Sequence, residues 1–465
     1  MTRSVYLAAL SCAAACLVGA APPAQGPAVQ GPAVQGQPAP NASAPGSPAY
    51  GPPSDGDLAI TPVEAPPGIP PALLEAAATA TGNYPTIRNA EAELRASRAD
   101  LRGARWLRFP SLSVEALALT RGRRGIAGDG ITANIVGEQP IYSFGRLEGT
   151  IDRAEAAMLA RVAALDETAQ QVALDVSDSF YNLALAARRQ AVLESGLEQH
   201  RALLQTIQNR VRQEVSPQAD LDLAMSRTAQ LEQDLEQAKA ARNSSLARLI
   251  QLVGTTTQDF GNVPEYDKVT MHPADKGAMA RALNCDPKLA RLRSQVLVAQ
   301  ADAKVARAAI MPQLLGQVTH NEITGTRAGI VLRAQAGPGL SKFAESDAAR
   351  TRIDAAVFNV SAAERELREA LQLDFVNNRS ARERVEANAQ ASLTSGLVTE
   401  SYKRQFITGR RTWLDVMNAS REATNSKLSV AEAETSAMAS NAHIWLRTCG
   451  WQPRPLDSGL VGANK

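Results

Sequence analysis

Between Phe144 and the turn at Ser216-Pro217, apolar residues recur on one sustained heptad. One series runs Ile151, Met158, Leu165, Val172, Ser179, Ala186, Leu193, His200, Ile207, and the other Glu155, Val162, Ala169, Val176, Leu183, Gln190, Leu197, Leu204, Val211. Seven of nine positions in each are apolar, which predicts a coiled-coil seam rather than the short stripe of a globular helix. Glu155, Ser179, Gln190 and His200 interrupt the seam and read as tolerated polar positions. Some 65 to 70 helical residues at about 1.5 Å each reach roughly 100 Å. No compact domain is that wide, so the helix is expected to be a strut.

Before the strut the period changes to two. A helix over 72–109, broken at Tyr84-Pro85, is stopped by Pro110, and two runs of about ten residues follow at 111–120 and 131–140, joined by RGRRGIAGDG. Leu112, Val114, Ala116 and Ala118 alternate with Ser111, Ser113 and Glu115, and Ile131, Ala133 and Ile135 with Thr132 and Asn134. Ten residues is the length a tilted strand needs to cross a bilayer. After the strut, Ser216 is the expected N-cap and Pro217 the first position of a returning helix that ends at Gly254. The returning helix and the opening one together match the strut, so they are expected to lie end to end beside it.

The plan then repeats. Asp100, Arg105 and Pro110 recur 202 residues later as Asp302, Arg307 and Pro312, and Tyr84-Pro85 as Asp286-Pro287. Pro140 maps to Pro338, Tyr181 to Phe375, Asp220 to Asp415, Ala224 to Ala419 and Gly254 to Gly450. The expected division is a first repeat at 72–254, a connector at 255–284, a second repeat at 285–450 with strands at 313–322 and 327–337, and a tail at 451–465. In the second hairpin Ala328, Ile330, Leu332 and Ala334 alternate with Gly329, Val331, Arg333 and Gln335. Glu115, Asn134, Gln317 and Arg333 are the candidates for a polar inner face.

Aromatic residues make up only 4% of the 465, as suits long alanine-rich helices, and the net charge of +2 steers nothing toward nucleic acid. Residues 1–20 read as a secretory signal, with an uncleaved anchor as the alternative, and 21–71 as a disordered linker holding fifteen of the 26 prolines. Cys12 and Cys16 fall in the signal, where acylation of either would make a lipoprotein, although the preceding Ala-Leu-Ser and Ala-Ala-Ala fit a lipobox poorly. Only Cys285 and Cys449 remain beyond it, which permits one disulfide in an oxidising compartment. The later chain has no apolar run long enough for a membrane helix, so a membrane would be crossed by strands. Four strands cannot close a barrel, whereas three copies supply twelve strands and twelve helical staves. The expected fold is mainly α with a membrane β-barrel part, built as a homotrimer.

This plan resembles the TolC family of outer-membrane efflux and secretion channels over residues 72–450. The most specific stretch, SYKRQFITGRRTWLDVMNAS at 401–420, is similar to the second tip of the type I secretion subgroup, and RVRQEVSPQADLDLAMSRTAQLEQ to the first, with Glu214 where glycine is usual. The resemblance implies an exit duct embedded in outer-membrane lipid and extending into the periplasm. Its partners there would be a periplasmic adaptor and an inner-membrane ABC or RND transporter, with no cofactor. It implies a closed-tip lock of Asp220, Phe406 and Arg411, and an entrance ring of Asp415 with Asn418 one turn on. Phe406 lacks the hydroxyl of the family's tyrosine, so the lock would rest on Arg411 and Asp220. Ser216, Pro217, Gly409 and Arg410 would be the tip contacts to the partners. Cys285 and Cys449 would both lie at the tunnel's waist. Tyr142, Phe144 and Phe343 are candidates for the inner membrane interface.

A purely structural reading stands beside these roles. Asp415 is three residues after Thr412, as in a capping box, Gly409 suits a helix end, and Arg410 and Arg411 suit solvated tip charges. His200, His272, His320 and His443 lack metal-ligand spacing, and no nucleophile elbow or phosphate loop occurs, so no catalysis is expected. Type I protein secretion is the leading expectation for cargo, with multidrug efflux the alternative. A periplasmic coiled-coil adaptor is the competing class.

Overall fold

The computed structural model describes residues 66–119, 130–254, 260, 264–271, 277–321, 325–334 and 337–453. The signal with Cys12 and Cys16, the linker up to residue 65, the first hairpin loop, His272 and the tail past residue 453 lie outside the described residues. In chain order the elements are α1 (Pro71–Asn83), α2 (Pro85–Trp106), β1 (Ser111–Leu119), β2 (Gly130–Tyr142), α3 (Arg146–Arg212) and α4 (Gln218–Val253). They continue with α5 (Ala278–Cys285), α6 (Pro287–Ala308), β3 (Gln313–Asn321), β4 (Gly325–Arg333), α7 (Ser341–Ile407) and α8 (Trp413–Arg447).

The duplication is visible element by element. α3 and α7 each have 67 residues, α4 and α8 have 36 and 35, and α2 and α6 each have 22. Prolines set the breaks. Tyr84 is extended (ψ 137°) because Pro85 follows it, and Pro85 and Pro287 each open the next helix. Asp286 adds a cap, its side chain accepting from the Leu289 N–H at 2.8 Å. α5 lies in the stretch expected to be only a connector and is the shorter counterpart of α1, so both halves carry a helix before the proline break.

α3 packs against α2, α4, α6 and α8, while α7 packs against α6 and α8. The heptad explains this. Every residue of the first α3 series is buried except Met158, which is partly buried, and the second series is buried at Ala169, Val176, Leu183 and Leu197. Small residues let neighbours approach. A Cβ on Gly149 would meet Val305 of α6 at 2.9 Å, which accounts for a glycine inside a long helix, where it otherwise costs about 0.5–1 kcal/mol. The largest apolar cluster joins Leu73 and Ala77 of α1, Val176 and Phe180 of α3, Leu249 of α4, Met438 and Leu446 of α8, and Trp451. Trp451 belongs to the stretch expected to be tail, yet it is buried in this core.

The strands form one antiparallel sheet in the order β1-β2-β3-β4, so the hairpins of the two halves pair through β2 and β3. β2 runs past Pro140 to Tyr142, with a register shift between those residues where proline offers no N–H to the ladder. β4 begins at Gly325 and ends at Arg333, two residues earlier at its start and four at its end than the alternation suggested. No helix among the described residues is long and apolar enough to cross a membrane.

Candidate functional site

Three regions carry the predicted site residues: the two helical turns, the sheet faces and the cysteine pair. At the turns, Ile207 of α3, Ala224 of α4, Phe406 of α7 and Trp413, Val416 and Met417 of α8 form one buried apolar cluster. Both turns therefore meet. Phe406 is a core residue here, and the Arg210 guanidinium lies over its ring at 5.0 Å from the centroid.

The turns share a backbone plan and differ in side chains. Gly409 ends the α7 turn in the left-handed region at φ 75°, and the first turn places Glu214 there at φ 59°. That explains a glycine at this point in one turn and marks Glu214 as strained. Thr412 caps α8: its hydroxyl accepts from the Asp415 N–H at 3.3 Å, and Asp415 Oδ2 accepts from the Thr412 N–H at 3.2 Å and hydroxyl at 2.9 Å. In the first turn Pro217 occupies the cap position, and Ser216 makes no capping bond. The extended conformation of Pro217 (ψ 155°) defers the helix to Gln218, one residue later than expected. Asp220 matches Asp415 in helix position but has no capping hydroxyl beside it.

The expected Arg411–Asp220 pair is not made within the protomer. Arg411 lies over the Tyr402 ring at 4.4 Å, 3.4 Å from Gln405 Oε1 and 3.9 Å from Asp415 Oδ2. A carboxylate one helical turn away and a ring beneath the guanidinium are nearer than Asp220. Gly409, Arg410 and Pro217 are exposed, Ser216 is half-buried, and Asn418 is exposed one turn beyond the cap. Tyr402, Trp413 and Arg210 were missed by motif reasoning, although Trp413 opens the helix that packs on Ile207.

The sheet divides by face. Leu112, Val114, Ile135, Val318, Ile330 and Leu332 lie on one side and are exposed. Glu115, Asn134, Gln317 and Arg333 all lie on the other, with Glu115 directly opposite Asn134. Glu138 organises that polar face, accepting from Gln317 at 2.8 Å and from both Arg333 terminal nitrogens at 2.8 and 3.3 Å. Its alignment with two later strands depends on register, which no local pattern encodes. Where the strands meet the helices, Trp106, Phe109, Tyr142, Phe144 and Phe343 are all exposed, with Tyr142 and Phe144 edge to face at 4.6 Å.

Cys285, the last residue of α5, and Cys449, just past α8, form a disulfide with Cα atoms 6.4 Å apart. Cys449 has φ 55° and Gly254, which ends α4, has φ 76°. Cys449, rather than Gly450, is therefore the structural counterpart of Gly254, held in a conformation that favours glycine. Nearby, the His443 ring donates to Asp178 at 2.9 Å, lies 3.9 Å from Asp374, and shares Asp374 with Arg447 at 2.8 Å. Burial disfavours the His443 cation, but hydrogen bonds and charge from Asp178 and Asp374 outweigh it and push the pKa up to about 9.

Against known proteins, residues 77–255 match the family described as "Outer membrane efflux protein". No curated protein sequence matches the chain. Among solved structures, the outer-membrane channel OprN superposes with a TM-score of 0.75 at 19% identity, covering 83% of this chain and 91% of its own. The Campylobacter jejuni CmeC outer-membrane channel gives 0.71 at 13%, covering 84% and 89%. The open state of the Neisseria gonorrhoeae MtrE outer-membrane channel gives 0.70 at 16%, covering 86% and 94%. The chain thus has the fold of the TolC-type outer-membrane channels, and its residues 77–255 carry the sequence signature of the outer membrane efflux proteins.

Proposed function

We propose that three copies of this chain form an outer-membrane exit duct that receives cargo from an inner-membrane efflux transporter and its periplasmic adaptor. The observation that carries this reading is the four-stranded sheet, apolar on one face, polar on the other and, among the described residues, without a strand beyond β1 or β4. Such edges need partners in lipid, where an unpaired backbone group costs several kcal/mol. Joining β1 of one copy to β4 of the next closes twelve strands, with the Glu138–Arg333 face toward the lumen. The exposed aromatic residues at the sheet base suit the periplasmic membrane interface. Phe358, Val376, Leu393 and Leu397 are exposed apolar residues spaced along α7 among charged ones, as suits contact with a neighbouring copy.

Efflux is favoured over protein secretion by the family description matched in the first repeat. Type I secretion remains the second reading, on the resemblance of residues 401–420. Tip closure is assigned to the apolar cluster around Phe406 and Trp413, with Arg411, Asp415 and Asp220 as the charged rim and Ser216, Pro217, Gly409 and Arg410 facing the partners. Asn418 would stand one turn inside it.

The test is native mass and planar-bilayer conductance of the detergent-extracted protein from fractionated cells. A trimer from the outer membrane with discrete channel steps is expected, and a soluble monomer would overturn the duct. Deleting the gene separates the cargoes: lower minimum inhibitory concentrations with an unchanged secretome indicate efflux, and the reverse indicates secretion. For the rim, R411A is expected to raise channel open time and uptake of bulky antibiotics, and unchanged values would remove Arg411 from closure.

A further inference from the structure

Two positions of the more deeply buried α3 series are polar, and only one is satisfied. The Ser179 hydroxyl donates to the Asp175 carbonyl at 2.8 Å. His200 is 4% exposed, and neither ring nitrogen has a hydrogen-bond partner among the described residues. Leaving a buried polar group unpaired costs about 1–3 kcal/mol, a cost that leucine, used one heptad earlier at Leu193, would avoid.

His200 lines a cavity of about 260 Å³ between α3, α4 and α8. Arg227 and Asp234 of α4 and Asn418, Arg421 and Asn425 of α8 share its wall. Neither arginine has an ion pair among the described residues. We propose that this cavity is a binding site for a carboxylate group, taken by the His200 N–H, the guanidinium groups of Arg421 and Arg227, and the amides of Asn418 and Asn425.

The charge count selects the ligand. With His200 neutral, two arginines and Asp234 leave one positive charge, matched by one carboxylate, and a guanidinium fork fits its two oxygens. A dianionic phosphate would overcompensate beside Asp234. A cation is disfavoured by both arginines, and no cluster of three metal-ligating side chains occurs among the described residues. Burial first, and Arg421 second, hold the His200 pKa below its ordinary value. A bound anion would reverse that bias.

The probe is acetate, titrated at constant ionic strength against chloride into the full-length, detergent-solubilised protein, with histidine-ring NMR as the readout. The His200 signal is assigned by its loss in H200L. A saturable shift of that signal is expected, with its apparent pKa raised by at least about one unit, a tenfold coupling. R421M and R227M should each weaken the response at least about tenfold, the low end of the range for a charged hydrogen bond. A response no different from chloride, or one unchanged in both arginine variants, overturns the site. H200L, which places leucine in an apolar seam, should stay folded and melt higher. Transport lost in H200L cells would assign the occupant to a partner's acidic side chain, and transport retained to a free carboxylate. Acetate binding is read without transport, so its failure leaves the duct untouched.

Discussion

Glu214 carries a glycine's backbone angle with a glutamate's Cβ. E214G is expected to stabilise the protein by roughly 0.5–1 kcal/mol, the left-handed penalty less the added freedom of the unfolded chain, measured by thermal unfolding. His443 gives a pH signature. Its folded pKa, about 9, is above the ordinary 6.5, so its contribution is complete below pH about 6.5 and fades as pH rises through 9. Melting temperature should therefore fall from pH 7 to 9.5, and H443Q should flatten that slope. Tyr181 is buried with no partner for its hydroxyl among the described residues, and burial pushes its pKa up. At this scale the sequence was legible where one residue decides the outcome, as at Pro85, Pro287 and Gly409. It was silent where two distant groups compete. Arg411 chose Tyr402 and Asp415 over Asp220 because a neighbour on the same turn requires no alignment of separate hairpins.

Helices were legible at the level of the element because a seven-residue period fixes which side of a 67-residue helix is buried. The faces of β1, β2 and β4 followed from period two. Ends were less so: β2 continues through a proline that looked like its stop, and α5 is too short for its periodicity to stand out. The Thr412–Asp415 box was readable as a structural motif, and the structure shows Asp415 committed to it, so any role at an entrance must share that carboxylate. The cysteines were readable only as a possibility, since spacing carries no distance. Their disulfide spans 164 residues, and C285S/C449S is expected to lose about 2–5 kcal/mol in non-reducing unfolding.

For the whole molecule, assembly follows from what one copy leaves exposed. L332R puts a charge on the apolar face of β4. It should destabilise the barrel by about 2–4 kcal/mol if that residue lies near the bilayer midplane, and less toward the interface, read as loss of outer-membrane trimer. The same substitution at Arg333's neighbour on the polar face, V331R, should be better tolerated. The pairing of Glu138 with Gln317 and Arg333 was hidden from any local reading, since it exists only once the two hairpins join.

The cystine also has a mechanical meaning. It anchors the end of α8 to α5, while the other end of α8 is the turn at Thr412, about 50 Å away by helix rise. Any tilt about the anchored end is magnified along that arm, and about 10° carries the turn roughly 9 Å. One covalent bond is thus the fulcrum of a long lever, and cutting it would move the pivot without touching the turn it controls.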